Sequence, residues 1–244
     1  MPRKPISDLL TEYTTGLTEY TTGVFINCPF DAAYKRFFHS IVFTTIYCGF
    51  RARCALELDD GSQIRIEKIF KIIEECRLGV HDLSRTELDK SSRLPRFNMP
   101  LELGMFLGAK RYGDGLQRSK QCLILDRQSH RYQKFISDIS GQDVKSHQSK
   151  IQVAIGVTRD WLRSCSARPM PGGTEIFRQY RRFTSRLPEI CKMLRLKPVE
   201  MTFNDYTNIV TEWLTAELLT ADRSGSKKVI LRSKAVRSRQ AVEK

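Results

Sequence analysis

Short apolar segments alternate with amphipathic segments between residues 24 and 125, and this alternation restricts the fold more than any other feature of the chain. The apolar segments are residues 24–28, 50–56, 78–81 and 122–125. Between them, apolar residues recur at helical spacing, as they do from Tyr34 to Thr45. Short apolar strands separated by helices are typical of a parallel sheet covered on both faces. The sequence therefore predicts an α/β fold.

The strand signal stops after about residue 148, and helical periodicity then continues over residues 150–164, 174–195 and 203–220. A perfect tandem repeat, Leu-Thr-Glu-Tyr-Thr-Thr-Gly twice, occupies residues 10–23, but two copies are too few for a repeat architecture. We expect an organisation in four parts: an irregular lead over 1–22, the α/β domain over 23–148, a helical extension packed on it over 149–222, and a disordered basic tail over 223–244.

The formal net charge is +14, and half of that excess lies in the tail, where residues 223–244 hold eight Lys or Arg and one Glu. The tail either contacts nucleic acid or an acidic partner, or it keeps the protein in solution. Arginines also recur at helical spacing within the middle helix of the extension, which indicates a solvated basic face or a face that contacts phosphate. They are Arg178, Arg181, Arg182 and Arg186.

Several classes of protein are disfavoured. No apolar run reaches the roughly 20 residues that cross a bilayer, and the N-terminus does not resemble a signal peptide. The seven cysteines include no C-x-x-C pair, so we expect neither a metal site nor a disulfide framework, and a cytoplasmic location. Phosphate-binding glycine loops of the G-x-G-x-x-G and Walker types do not occur, which argues against dehydrogenases and NTPases.

Polar residues follow the predicted strands, at the edge of a parallel sheet where ligands bind. The candidate binding residues are Pro29, Phe30, Asp31, Arg53, Asp82, Ser84, Arg85 and Asn98. Each also has a simpler interpretation. Asp82 and Ser84 suit a turn, Asn98 suits a helix N-cap, and Arg53 suits a surface position with a packed stem. His81, on an apolar strand, is predicted to be a core residue.

Glu102 is the candidate catalytic residue, because residues 97–108 place one carboxylate in the predicted first turn of an otherwise apolar helix. The alternative is an acid that only complements the helix dipole. Cleavage of an O-glycosidic bond usually needs two carboxyl groups. Nicotinamide, in contrast, leaves NAD+ as a neutral molecule, so one carboxylate that stabilises an oxocarbenium-like transition state is sufficient. Phe30 would then stack on nicotinamide, and Arg53 or Arg85 would hold the pyrophosphate.

At these residues the chain resembles the bacterial branch of the TIR (Toll/interleukin-1 receptor) domain family, which neighbours the nucleoside 2-deoxyribosyltransferases. The resemblance is strongest in Asn-Met-Pro-Leu-Glu-Leu-Gly at 98–104, which is similar to the family's N-x-x-x-E-L-G segment. It extends over residues 24–30, 79–84 and 131–141, and covers about 23–165.

The resemblance implies a flavodoxin-like sheet and an NAD+ glycohydrolase or ADP-ribosyl cyclase, with NAD+ as substrate and no cofactor. Glu102 would take the place of the catalytic glutamate, and residues 51–65 would match the loop that drives self-association. Family members often act as anti-phage effectors that become active on assembly, so a homo-oligomer and an activating partner are implied. Two alternatives stay open: an N-glycosyl transferase or hydrolase acting on nucleosides, and a non-enzymatic adaptor or nucleic-acid-binding module.

Overall fold

The computed structural model describes residues 16–86 and 97–223. The basic tail after residue 223 and the first copy of the repeat up to residue 15 lie outside the described residues, as does the segment 87–96 that precedes the helix of Glu102.

Five parallel strands form one sheet with the order β2-β1-β3-β4-β5, which is the flavodoxin-like order. The predicted α/β class is therefore confirmed. Strand β5 was not predicted, because it has two residues and no apolar run, and β2 is shorter than predicted because a turn at Cys54 ends it. The strands are β1 Gly23–Asn27, β2 Arg51–Arg53, β3 Leu78–Asp82, β4 Gln121–Asp126 and β5 Lys145–Ser146.

The helices in the described part of the chain that follow β1 are α1 Lys35–Tyr47, α2 Arg65–Glu74, α3 Asn98–Tyr112, α4 Gly115–Arg118, α5 Ile151–Ser164, α6 Gly173–Met193 and α7 Phe203–Arg223, and α7 reaches the last described residue. The three helices predicted after residue 148 occur within a few residues of their expected bounds. Within the described ranges, no helix has the length and apolar character needed to cross a membrane.

Side chains alternate across the sheet and fill a core on each face. In β1, Val24 and Ile26 belong to the core that contains α1, whereas Phe25 belongs to the core that contains α2 and Phe106. Helices α5, α6 and α7 pack on the α1 side and share its core, so the helical extension and the sheet are built around one continuous apolar interior.

The last part of the lead, residues 16–22, is helical, although the sequence predicts an irregular segment there. Tyr20 explains the difference. Its ring is 7% exposed and its hydroxyl donates a hydrogen bond of 2.5 Å to the carbonyl of Leu116. Its carbonyl accepts from the amide of Arg77, just before β3. These tertiary contacts favour a helix that the local sequence does not.

Candidate functional site

The carboxyl ends of β1 and β3 lie side by side at the position where the strand order reverses, which is where open parallel sheets bind ligands. Asn27, the last residue of β1, is 2% exposed. Its side-chain amide donates to Nδ1 of His81 at 3.1 Å and to the carbonyl of Met99 at 2.8 Å. This amide therefore ties the first turn of α3 to the ends of both strands.

Glu102 follows Met99 by three residues and lies in the second turn of α3, not in the first as predicted. The helix begins at Asn98 with Phe97 as its N-cap, which also excludes the N-cap interpretation of Asn98. Glu102 is 8% exposed. Among the described residues, no side chain or backbone group forms a hydrogen bond or an ion pair with its carboxylate. A buried acid normally has such a partner; the oxygens of Glu102 are not among the fully buried side-chain atoms that lack one, so this largely buried carboxylate keeps some contact with solvent.

The pKa of Glu102 is raised to about 7, chiefly because burial disfavours the charged form, and the Arg65 cation at the start of α2 offsets part of that effect. The neighbouring thiol of Cys54, after β2, has a pKa raised to about 12, mainly by burial and to a smaller extent by the charges of Glu57 and Glu102. Glu102 thus lies on the β2 side of the strand ends and changes its charge near neutral pH.

Asp82, at the end of β3, belongs to a second buried group on the other side of the strand ends. Its carboxylate is fully buried and accepts from the Tyr34 hydroxyl at 2.5 Å and from the Ser84 amide at 2.7 Å. The Nε2 atom of His147 lies 3.2 Å from the same carboxylate and 2.8 Å from the Ser84 hydroxyl. Asp82 and Ser84 thus lie together at the turn that ends β3, as their simpler interpretation predicted, with two partners that were not among the predicted site residues.

Ser84, His147 and Asp82 do not have the geometry of a hydrolase triad. In a triad the carboxylate holds Nδ1 of the histidine and the serine contacts Nε2. Here the backbone amide of Ser149 donates to Nδ1 at 3.1 Å, and both other residues contact Nε2. The arrangement orders the polypeptide at the strand ends and does not activate the serine.

Three predicted binding residues, Asp31, Arg53 and Arg85, are held by ion pairs. Arg85 contacts Asp31 at 3.1 Å, and both side chains are partly exposed, so this pair lies at the rim of the edge. Arg53 is 7% exposed and contacts Glu57 at 2.5 Å and Glu75 at 3.0 Å. Both of its acidic partners are on the β2 side, so Arg53 is committed to a local network and a ligand phosphate would have to compete with it.

The remaining predicted residues differ in accessibility. Pro29 is buried, Phe30 is partly exposed, and Asn98 is exposed. The Phe30 ring packs edge-on against Phe38 with centroids 5.2 Å apart, which fixes one side of the ring after β1. His81 is fully buried and burial lowers its pKa to about 3, so the prediction of a core histidine is confirmed.

Arginines gather beyond β4, where the sequence showed polar residues but no clear site. Arg131 donates to Asp126 at 2.8 Å and to the carbonyl of Leu83 at 2.6 Å. Burial lowers the pKa of Arg127, and the cations of Arg131 and Arg85 lower it further. Arg85 and Arg131 thus both lie near Arg127 at this edge, and each of these two is paired with an acid, Asp31 and Asp126 respectively.

Within residues 16–86 and 97–223, no group of three or more His, Cys, Asp or Glu side chains is arranged to hold a metal ion. In comparisons with protein-family models, curated proteins and solved structures, no family model, curated protein or solved structure matches the chain.

Proposed function

We propose that this protein cleaves the nicotinamide–ribose bond of NAD+, with the Glu102 carboxylate stabilising the positive charge that develops on the ribose. The observation that carries the proposal is the state of Glu102 itself: a buried carboxylate without a hydrogen-bond or ion-pair partner among the described residues, beside the β1–β3 strand ends. An acid held in this way costs stability, and a cationic ligand would relieve that cost.

The other acids at the strand ends support a reaction that needs one carboxylate. Asp82 already accepts from Tyr34 and from the Ser84 amide, and Asp31 is paired with Arg85. Neither is free to protonate a leaving group. Nicotinamide needs no such proton because it leaves a pyridinium as a neutral base. The geometry thus favours N-glycosidic cleavage of NAD+ over O-glycosidic cleavage, for which a pair of carboxyl groups is required.

The residues around Glu102 supply the rest of the proposed site. Phe30 presents a partly exposed ring after β1 for the nicotinamide. The guanidinium groups of Arg85, Arg127 and Arg131 lie along the β3–β4 edge and suit a pyrophosphate, for which Arg85 and Arg131 would exchange their present partners, Asp31 and Asp126. In this arrangement the ribose lies between the two groups, over the ends of β1 and β3, with its reacting carbon towards Glu102.

The test is to incubate the full chain with NAD+ at a series of protein concentrations and to separate nicotinamide, ADP-ribose and cyclic ADP-ribose by chromatography. We expect nicotinamide release that falls at least about 100-fold in Glu102→Gln, since one preorganised electrostatic group contributes roughly that much. The matched control is Glu212→Gln, an exposed glutamate on α7. Release that rises faster than linearly with protein concentration would support activation by assembly.

Two outcomes would overturn the proposal. Full activity in Glu102→Gln would remove the site assignment. Release of base from nucleosides, with NAD+ left intact, would favour the N-glycosyl transferase or hydrolase. In that case the departing base needs a proton, and Asp82 or Asp31 would have to leave its present partner to supply it.

A further inference from the structure

Three positively charged side chains line one open groove on the face of the molecule formed by α1, α5 and α6. They are Arg36 at the start of α1, Lys150 at the start of α5 and Arg181 in the middle of α6. The groove has a volume of about 690 Å³. Of the described residues that line it, none is acidic. All of its charged lining residues are therefore cationic, and Glu102 is not among the residues that line it.

The groove differs from the rest of α6 in that its arginine forms no ion pair with a described residue, whereas the other three arginines of the helix do. Arg178 contacts Glu175 at 2.6 Å, Arg182 contacts Glu217 at 3.0 Å, and Arg186 contacts Glu189 at 3.0 Å. These three charges are balanced locally. The side chains of Arg36, Lys150 and Arg181, in contrast, have no ion pair or hydrogen bond with any described residue. The basic face expected from the sequence is thus largely neutralised on α6, and its one unpaired arginine belongs to the groove.

The groove also offers aromatic and backbone groups. Phe37 and Phe177 are partly exposed along its wall. The first turn of α5 contributes Ile151, and no side chain caps that turn. The first N–H groups of a helix have no acceptor within the helix, so they add donors and positive potential to the three side chains.

We infer that this groove binds a single strand of nucleic acid, with its phosphates on Arg36, Lys150 and Arg181 and its bases against Phe37 and Phe177. A cationic groove with aromatic rings along its wall is the arrangement that holds a flexible polyanion whose units carry flat faces. An acidic peptide would satisfy the charges but would make no use of the rings.

The charge of the whole chain supports this choice of partner. The net charge is +14, and the sequence after residue 223 adds a dense run of Lys and Arg. Helix α7, which leads into that run, is tied to α6 by the Arg182–Glu217 ion pair, one residue from Arg181. A strongly positive net charge attracts polyanions such as nucleic acid.

The experiment measures binding of the full chain to a fluorescent single-stranded oligouridine of about 12 nucleotides by anisotropy over a range of salt concentrations. The test variant carries Arg36→Gln, Lys150→Gln and Arg181→Gln. The matched control carries Arg178→Gln, Arg182→Gln and Arg186→Gln. Each removes three positive charges, from +14 to +11, so the two differ only in which charges are lost. Circular dichroism and thermal melting establish that both fold.

We expect the groove variant to bind at least about tenfold more weakly than the unmodified chain. The slope of log K against log salt should fall by about 2, since each phosphate contact on a single strand contributes roughly 0.7. The control should lose less than about threefold. Phe177→Leu should weaken binding to the oligonucleotide but leave binding to inorganic polyphosphate, which has no bases, unchanged.

Equal losses in the two triple variants would overturn the inference, because binding would then depend on total charge alone. It would equally be overturned if the unmodified chain did not bind the oligonucleotide. Tighter binding to a polyglutamate peptide than to oligouridine at the same salt would assign the groove to acidic proteins instead. None of these results bears on nicotinamide release, so this inference and the proposed function can fail independently.

Discussion

The carboxylate of Asp82 and the imidazole of His147 lie 3.2 Å apart, and both side chains are almost wholly excluded from solvent. They join the end of β3 to the residue that follows β5. The Tyr34 hydroxyl, from the turn before α1, donates to the same carboxylate. The segments that follow β1, β3 and β5 are thereby held together at the carboxyl ends of the strands. The proposed site lies at this edge and needs it to be rigid.

Substitution of Asp82 by Asn should destabilise the protein by about 1–3 kcal/mol. The carboxylate accepts from the Tyr34 hydroxyl and the Ser84 amide through its two oxygens, and an amide replaces one of these acceptors by an NH2 donor. Ser84→Ala removes only a hydroxyl and should cost about 0.5–1.5 kcal/mol. Urea unfolding of both variants measures the difference. Nicotinamide release by Ser84→Ala should stay within about threefold of the unmodified chain, because its contacts are not those of a catalytic triad. Loss of release in a folded Ser84→Ala would show that the serine reacts.

The amphipathic and apolar patterns were sufficient to predict the sheet, the helices that cover it and the set of strand ends, since these follow from periodicity and local turns. Position along a helix was less predictable. Glu102 lies in the second turn of α3 and not in the first, because the helix begins one residue earlier than the N-cap interpretation of Asn98 implies. Residue boundaries of this kind are set by tertiary contacts.

Charge partners were the least predictable part of the site. The sequence places Arg53 among the ligand-binding residues, but its partners are Glu57, four residues away, and Glu75, on another element. His147 and Asp82 are far apart in the sequence, so their contact leaves no local sequence signal. The same holds for the unpaired trio of Arg36, Lys150 and Arg181. Tertiary packing decides which charged side chains form ion pairs, so the sequence alone does not identify them.

Glu102→Gln should make the protein more stable at alkaline pH while it removes activity. In the folded state the pKa of Glu102 is raised from 4.5 to about 7, so the folded state binds its proton more tightly than the unfolded chain. The free energy of unfolding therefore falls as pH rises from about 4.5 to 7. Glutamine does not titrate, so the variant should gain about 1–3 kcal/mol above pH 7 and almost nothing below pH 4.5.

Urea unfolding at pH 4.5, 6 and 8 checks this expectation. Glu212→Gln, which removes an exposed charge on α7, should change stability by less than about 0.5 kcal/mol at each pH. A Glu102→Gln variant that is less stable than the unmodified chain at pH 8 would mean that its carboxylate has a stabilising partner in solution.

The rate of nicotinamide release at low NAD+ should rise with pH and level off above about pH 8. Only the ionised form of Glu102 stabilises positive charge on the ribose, and the profile of kcat/KM reports the free enzyme. Arg65→Gln removes the cation that lowers the pKa of Glu102, so the midpoint of the profile should move to higher pH. Lys71→Gln, an exposed cation near the other end of α2, should leave the midpoint unchanged. Identical midpoints for Arg65→Gln and the unmodified chain would remove Glu102 as the titrating group.

Gly79→Ala should be strongly destabilising, because β3 passes close to two buried rings at this position. A Cβ atom on Gly79 would lie 2.7 Å from Nε2 of His81 and 2.9 Å from the ring of Phe106. Both rings are fully buried and have no room to move, so overpacking should cost about 1–3 kcal/mol.

Gly104→Ala supplies the matched control, since Gly104 lies within α3 and a Cβ atom there meets nothing within 4 Å. Alanine is the better helix former by about 1 kcal/mol, so this variant should be stabilised. The change in stability caused by the same substitution is thus expected to be negative at Gly79 and positive at Gly104. Thermal melting at pH 7 compares them directly. A stable Gly79→Ala would show that His81 can leave its place between Phe25 and Phe106, and would weaken the case that His81 holds the Asn27 amide in position.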